Sequence, residues 1–123
     1  MDIRKARKVQ KPWGHEEIFA ETDDYVGKIL FIRQGEALSL QYHEVKVETL
    51  RVLEGTLDLV TGTDVAHLET HRVGPETVFH IPPGTLHRMV AFTDCLLLEV
   101  STNHLDDVVR LEDRYGREGT SAP

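Results

Sequence analysis

Apolar and polar positions alternate along this chain in short runs, and turn-forming residues separate the runs. The pattern marks His15–Ala20, Tyr25–Arg33, Ala37–His43, Val47–Leu53, Thr56–Val60, Val65–Val73, Thr77–Ile81, Arg88–Phe92 and Leu96–Ser101 as strands. A period of two sends successive side chains to opposite faces of a strand. Breaks fall at Thr22–Asp24, Gln34-Gly35, Glu54-Gly55, Thr61-Gly62, Gly74-Pro75, Pro82-Pro83-Gly84 and Thr93-Asp94, where the residue types suit tight turns. Strands at this spacing predict an all-β antiparallel sandwich or jelly roll whose interior can house a ligand. No helical period precedes Asn103. His104–Arg114 is predicted as one short helical segment, with Asn103 as N-cap and Asp106 and Asp107 in the first turn. Residues 1–10 are expected to form a flexible basic tail, 11–117 a single domain and 118–123 a second flexible tail.

A chain of 123 residues is long enough for one domain with a real core. Its 14 basic against 21 acidic residues leave a net charge of −7. That balance speaks against a general affinity for nucleic acid or anionic membranes, though not against a local basic site for a phosphate. The basic start, MDIRKARKVQK, lacks interleaved aromatics and reads as solvated rather than as a nucleic-acid arm. Cys95, the only cysteine, has no internal disulfide partner, which fits a reducing cytoplasm. No stretch is long and apolar enough to span a membrane, and 1–11 lacks the apolar centre of a signal peptide.

The chemistry concentrates between Gly35 and Gly55, GEALSLQYHEVKVETLRVLEG, and in IPPGTLH at Ile81–His87. On a strand, Ser39, Gln41 and His43 share one face and Leu38, Leu40 and Tyr42 the other. Glu48 follows after a short loop, and His87 after a proline-glycine turn. Two imidazoles, one carboxylate and one amide oxygen form a reasonable ligand set for a divalent ion such as Zn, Mn, Fe or Ni. A polar barrel mouth bonded to itself and to water satisfies the same spacing without a metal. If the ion is present, Glu48 alone brings negative charge, so the centre stays electropositive and suits polarising a sugar oxygen.

Gly35, five residues, Gln41-x-His43, four residues, Glu48, six residues, Gly55 is similar to the first cupin motif. Gln41 stands where most metallo-cupins carry their first histidine. Pro82-x-Gly84-x-x-His87 resembles the second motif, with Ala91 where asparagine is common. KPWG at Lys11–Gly14, LSLQYH, IPPGTLHRM, LLEV and DDVVRLEDRYGR at Asp106–Arg117 narrow the resemblance to the type II mannose-6-phosphate isomerase cupins, which also occur as C-terminal domains of bifunctional mannose-1-phosphate guanylyltransferases. Members often read QxHxHRxEHW, whereas this chain has Val45 at the extra histidine and Thr49-Leu50 for His-Trp.

The resemblance implies a cupin jelly roll, or double-stranded β-helix, holding one divalent ion on Gln41, His43, Glu48 and His87. It implies isomerisation of mannose 6-phosphate to fructose 6-phosphate and, by analogy with cupins that pair through their sheets, a homodimer. It also carries Arg88 and Lys28 as site candidates. Arg88, next to His87, should point away from the metal face, where a surface ion pair accounts for it equally well. Lys28 interrupts an apolar strand and must snorkel or pair; in a site it holds a phosphate or stabilises an enediolate. Glu99 lies in an apolar run where burial raises a carboxyl pKa and makes a proton acceptor, unless it pairs with Lys28 or an arginine. Of the other histidines, His67 and His71 read as solvent-facing, His15 as structural and His104 as a helix start, while His80 can approach the cavity. Trp13 reads as a packing anchor. Three functions remain open on these residues: the isomerase, a cupin lyase or oxygenase acting on another small carbonyl or sugar, and a non-catalytic sugar- or metal-binding module.

Overall fold

The computed structural model describes residues 1–119. It has eleven strands: β1 (Arg7–Lys11), β2 (Gly14–Glu21), β3 (Val26–Ile32), β4 (Leu40–Tyr42), β5 (Glu48–Glu54), β6 (Leu57–Gly62), β7 (Leu68–Val73), β8 (Val78–Ile81), β9 (Leu86–Ala91), β10 (Cys95–Ser101) and β11 (Val109–Glu112). They form a six-stranded sheet in the order β1-β2-β3-β10-β5-β8 and a five-stranded sheet in the order β11-β4-β9-β6-β7. The sheets pack face to face around Leu30, Ile32, Leu50, Val52, Leu57, Met89, Ala91 and Leu97. This is the expected jelly roll. The described residues contain no helix, and none long and apolar enough to cross a membrane.

Register explains why one end of the sandwich is apolar and the other polar. Val52 and Leu30 both pair with Leu97, so three apolar side chains meet in one layer between the sheets. One layer along, Leu50 and Lys28 flank Glu99; the next sets Val26 and Glu48 about Ser101. Charged residues thus enter the inward face only toward one end. Glu16, Lys28, Lys46, Glu48 and Glu99 are all at most 8% exposed. Burying charges is costly unless they are paired, so this end is built around a polar task rather than for stability.

Two segments depart from expectation. Arg7–Lys11 is a strand paired with β2, not part of a flexible tail. Its only apolar side chain is Val9, so alternation alone does not reveal it; the open edge of β2 supplies the pairing. The helix predicted over His104–Arg114 is also corrected: Val109–Glu112 is β11, paired with the edge of β4. Asp106 and Asp107, which fit a first helical turn, sit instead in a loop where Asp107 accepts backbone N–H groups from another segment. Of the tail predicted at 118–123, residues 120–123 lie outside the described residues, and the Gly119 N–H donates to the Arg110 carbonyl.

Gly55 closes the β5–β6 turn with φ of 89°. A Cβ there would meet the Asp94 carbonyl oxygen at 2.1 Å. Gly55→Ala is therefore expected to cost at least about 2 kcal/mol through left-handed strain and the clash, lowering Tm by roughly 5–10 °C in a thermal melt. A Tm equal to wild type would show that the turn relaxes freely.

Candidate metal centre

His43 follows β4, His87 lies on β9 and Glu48 opens β5. The donor atoms therefore come from both sheets and meet at the polar end of the sandwich. One Glu48 oxygen, Oε1, lies 3.5 Å from His43 Nε2 and 3.4 Å from His87 Nε2. The three donor atoms all fall within 4.8 Å of one another, and all three residues are buried. His43 Nδ1 lies 2.6 Å from the Asp107 carbonyl and His87 Nδ1 lies 3.0 Å from the Thr85 carbonyl. Carbonyls only accept, so each Nδ1 carries a proton and each ring turns Nε2 inward. Both Nε2 atoms are buried without a hydrogen bond. Two imidazole nitrogens and a carboxylate oxygen thus converge on one point, and tethered imidazoles are the usual support for a divalent metal. The residues fit such an ion.

Gln41 lines the same cavity and is the register partner of His87. It is half-buried, beside the triad rather than locked into it. The cavity encloses about 270 Å³ and is also lined by Lys46, Glu99, Lys28 and Glu16.

Lys46 was not singled out by sequence. Its ammonium lies 2.8 Å from Glu48 Oε2 and 3.4 Å from Glu99 Oε2. Lys46 thereby occupies one Glu48 oxygen and leaves the other to the imidazoles. Burial opposes its charge, but Glu99 and Glu48 outweigh burial and raise its pKa above the ordinary range. Burial likewise opposes charge on Glu48, yet His43, His87 and Lys46 hold its carboxyl well below the usual carboxylate range. Glu99 goes the other way. Burial, reinforced by the Glu48 charge, pushes its carboxyl up despite Lys46 and Lys28. Two neighbouring carboxyls are thus driven apart, a pattern that separates a permanently ionised group from one able to exchange a proton.

Lys28 is the cross-strand partner of Glu99, but its ammonium binds Glu16 at 3.3 Å. Arg88 is not brought to the cavity. Its guanidinium donates to the Leu38 carbonyl at 3.0 Å and the Glu112 carbonyl at 3.2 Å, fastening β11 beside β4. His80 hydrogen-bonds Thr49 at 2.8 Å on an exposed surface, and His15 stacks on Phe31. Trp13 is 3% exposed and joins the core.

Residues 1–113 match the family described as mannose-6-phosphate isomerase C-terminal. The chain belongs to this family. It is 34% identical over 126 residues to the mannose-1-phosphate guanylyltransferase of Escherichia coli K12, covering 93% of this chain and 24% of that protein. It is 32% identical over 116 residues to the xanthan biosynthesis protein XanB of Xanthomonas campestris, covering 90% and 24%. The chain therefore spans about a quarter of the length of these curated relatives. Among solved structures, CapF of Staphylococcus aureus superposes with a TM-score of 0.78 at 19% identity, over 90% of this chain and 33% of that one. Oxalate decarboxylase of Bacillus subtilis gives 0.75 at 13%, over 86% and 30%. These likenesses show the fold, the cupin jelly roll.

The departures from the isomerase-family pattern now have places. Val45 is 57% exposed, and Leu50 is fully buried in the core. Thr49 bonds His80. None is among the three donors. Lys46 stands where the family pattern has arginine.

Asp107 is the residue at the site that the sequence pattern least suggested. Its carboxylate accepts the N–H groups of Glu44, Val45 and Lys46 at 2.9, 2.7 and 2.8 Å. Its carbonyl faces His43 Nδ1. One residue thus clamps the whole loop between His43 and Glu48. Asp107→Ala is expected to cost about 2 kcal/mol of stability and to weaken metal binding by roughly 10–100-fold. Metal titration beside a thermal melt checks both, and unchanged affinity would show that the loop holds its shape without the clamp.

Proposed function

We propose that this chain is a metal-dependent aldose–ketose isomerase domain that interconverts mannose 6-phosphate and fructose 6-phosphate. The observation that carries it is a cavity lined by His43, Glu48 and Glu99, in which the buried cluster of His43, Glu48 and His87 adjoins a Glu99 carboxyl whose pKa burial raises. Family membership and relatives named for mannose 1-phosphate support a mannose phosphate as substrate.

Isomerisation moves the C2 proton of the open-chain aldose to C1 and the O2 hydroxyl proton to O1. A divalent ion on His43, Glu48 and His87, with Gln41 beside it, supplies the electrophile that stabilises charge on the sugar oxygens. Glu99 takes the carbon-bound proton from C2 and returns it to C1. Its elevated pKa makes its carboxylate a stronger acceptor for the C2 proton. Lys46 holds Glu48 in place and keeps a positive charge beside Glu99. Lys28 contributes positive charge on the same wall. The homodimer expected by analogy belongs to this proposal, and sedimentation measures it.

The test is a coupled assay of mannose 6-phosphate conversion on protein loaded in turn with Zn, Mn, Fe or Ni, with a chelator control. Conversion abolished by chelator is expected. A demonstrably metal-loaded protein that converts nothing would refute the isomerase and leave a cupin acting on another small carbonyl.

A further inference from the structure

Lys28 passes over the carboxyl that lies directly opposite it. On the inward face, β3 sets Lys28 against Glu99 of β10 on one side and against Ile18 of β2 on the other. Glu16 pairs with Leu30, which places it on the diagonal from Lys28. Side chains directly opposite across an antiparallel pair have Cβ atoms about 4.5–5.5 Å apart, and diagonal neighbours stand about 7–8 Å apart. The Lys28 ammonium nevertheless bonds both Glu16 oxygens, at 3.3 and 3.4 Å. Lys11 reaches the same carboxylate at 3.8 Å. Glu99 is left with the Lys46 ammonium at 3.4 Å, which lies closer to Glu48, at 2.8 Å. Glu48 and Glu99 therefore share one lysine while a second is held away on β2. Glu16, Lys28 and Glu99 all line the cavity, and none is more than 8% exposed.

We propose that Glu16 is a positioning residue for the proton acceptor: it holds the Lys28 ammonium on the β2 side of the cavity, so that Glu99 is not locked into an ion pair with its cross-strand partner. An ammonium bonded to a carboxylate stabilises the ionised form and makes it a poorer base. Burial and the Glu48 charge push the Glu99 carboxyl up, and Glu16 adds to them, against Lys46 and Lys28. With Glu16 neutral, the Lys28 charge needs another carboxylate, because a buried charge without a partner is costly. Glu99, directly across the β3–β10 ladder, is the one in place to take it. The consequence for turnover rests on the isomerase reading, whereas the placement of Lys28 by Glu16 does not.

The test combines a crystal structure of Glu16→Gln with the coupled assay on the metal-loaded full chain. Glu16→Gln keeps the shape of the side chain and removes its charge. Its structure is expected to show the Lys28 ammonium bonded to Glu99. Its kcat should fall roughly tenfold, with KM within about twofold of wild type and metal content unchanged. Glu16→Gln/Lys28→Met should regain most of that kcat, because no lysine is left on β3 to engage Glu99. A purely structural Glu16 predicts no such rescue. If Glu16→Gln fails to fold, Glu16→Asp replaces it; the charge stays but withdraws by one methylene, and a smaller loss of the same kind is expected. Lys28 still on side chain 16 with wild-type kcat overturns the proposal, as does a loss of kcat that persists undiminished in the double variant. Lys28 moved onto Glu99, in a protein whose wild type turns nothing over, supports the positioning and sinks only the isomerase. Wild-type turnover that Glu16→Gln leaves intact does the reverse.

Discussion

His43→Ala and His87→Ala are each expected to empty the centre of its ion and abolish isomerisation while the jelly roll persists. Each substitution removes one of three converging donors, and the remaining two hold a divalent ion far more weakly. Losing a group that merely supports a ligand already costs 10–100-fold in affinity; losing the ligand itself should cost more than about 100-fold. The fold should survive because the apolar layers of Leu30, Val52 and Leu97 lie at the other end of the sandwich. Each variant forfeits one hydrogen bond, His43 to Asp107 or His87 to Thr85, worth about 1 kcal/mol. The variants should therefore melt close to chelator-treated wild type, and added metal should no longer raise their Tm. Elemental analysis and circular dichroism read the two effects separately. Full metal content in both variants would exclude the triad as the binding site.

Glu99→Gln is expected to lower kcat by about 10²–10⁴-fold with little change in KM. The amide keeps the shape but cannot accept the carbon-bound proton. Glu99 is not among the three donors, so metal content should stay at the wild-type level. Losing its charge leaves Lys46 paired with Glu48 alone, at 2.8 Å, which keeps Glu48 oriented. That separation of effects distinguishes a proton acceptor from a charge that only balances Lys46. A kcat within about threefold of wild type would reassign the base.

The convergence of His43, Glu48 and His87 was legible because a short loop brings Glu48 close after His43 and a proline-glycine turn announces His87. Lys46 was not legible. It lies in an exposed-looking loop between ligands, and only the folding of that loop under Asp107 turns its ammonium onto Glu48 and Glu99. Arg110 fell inside the predicted helix because Asp106 and Asp107 resemble a helical first turn. The free edge of β4 outcompeted that local preference.

By itself the sequence determined the alternation that commits the chain to strands, the turns that separate them and the residues that can supply metal donors. Those depend on neighbours a few residues apart, which the order of residues specifies directly. Tertiary structure alone decided which charges share the cavity. Cross-strand register set Glu99 beside Lys28 and placed Arg110 next to Gln41, and edge pairing made strands of Arg7–Lys11 and Val109–Glu112. Register is a long-range choice, settled by the packing of two whole sheets on one another.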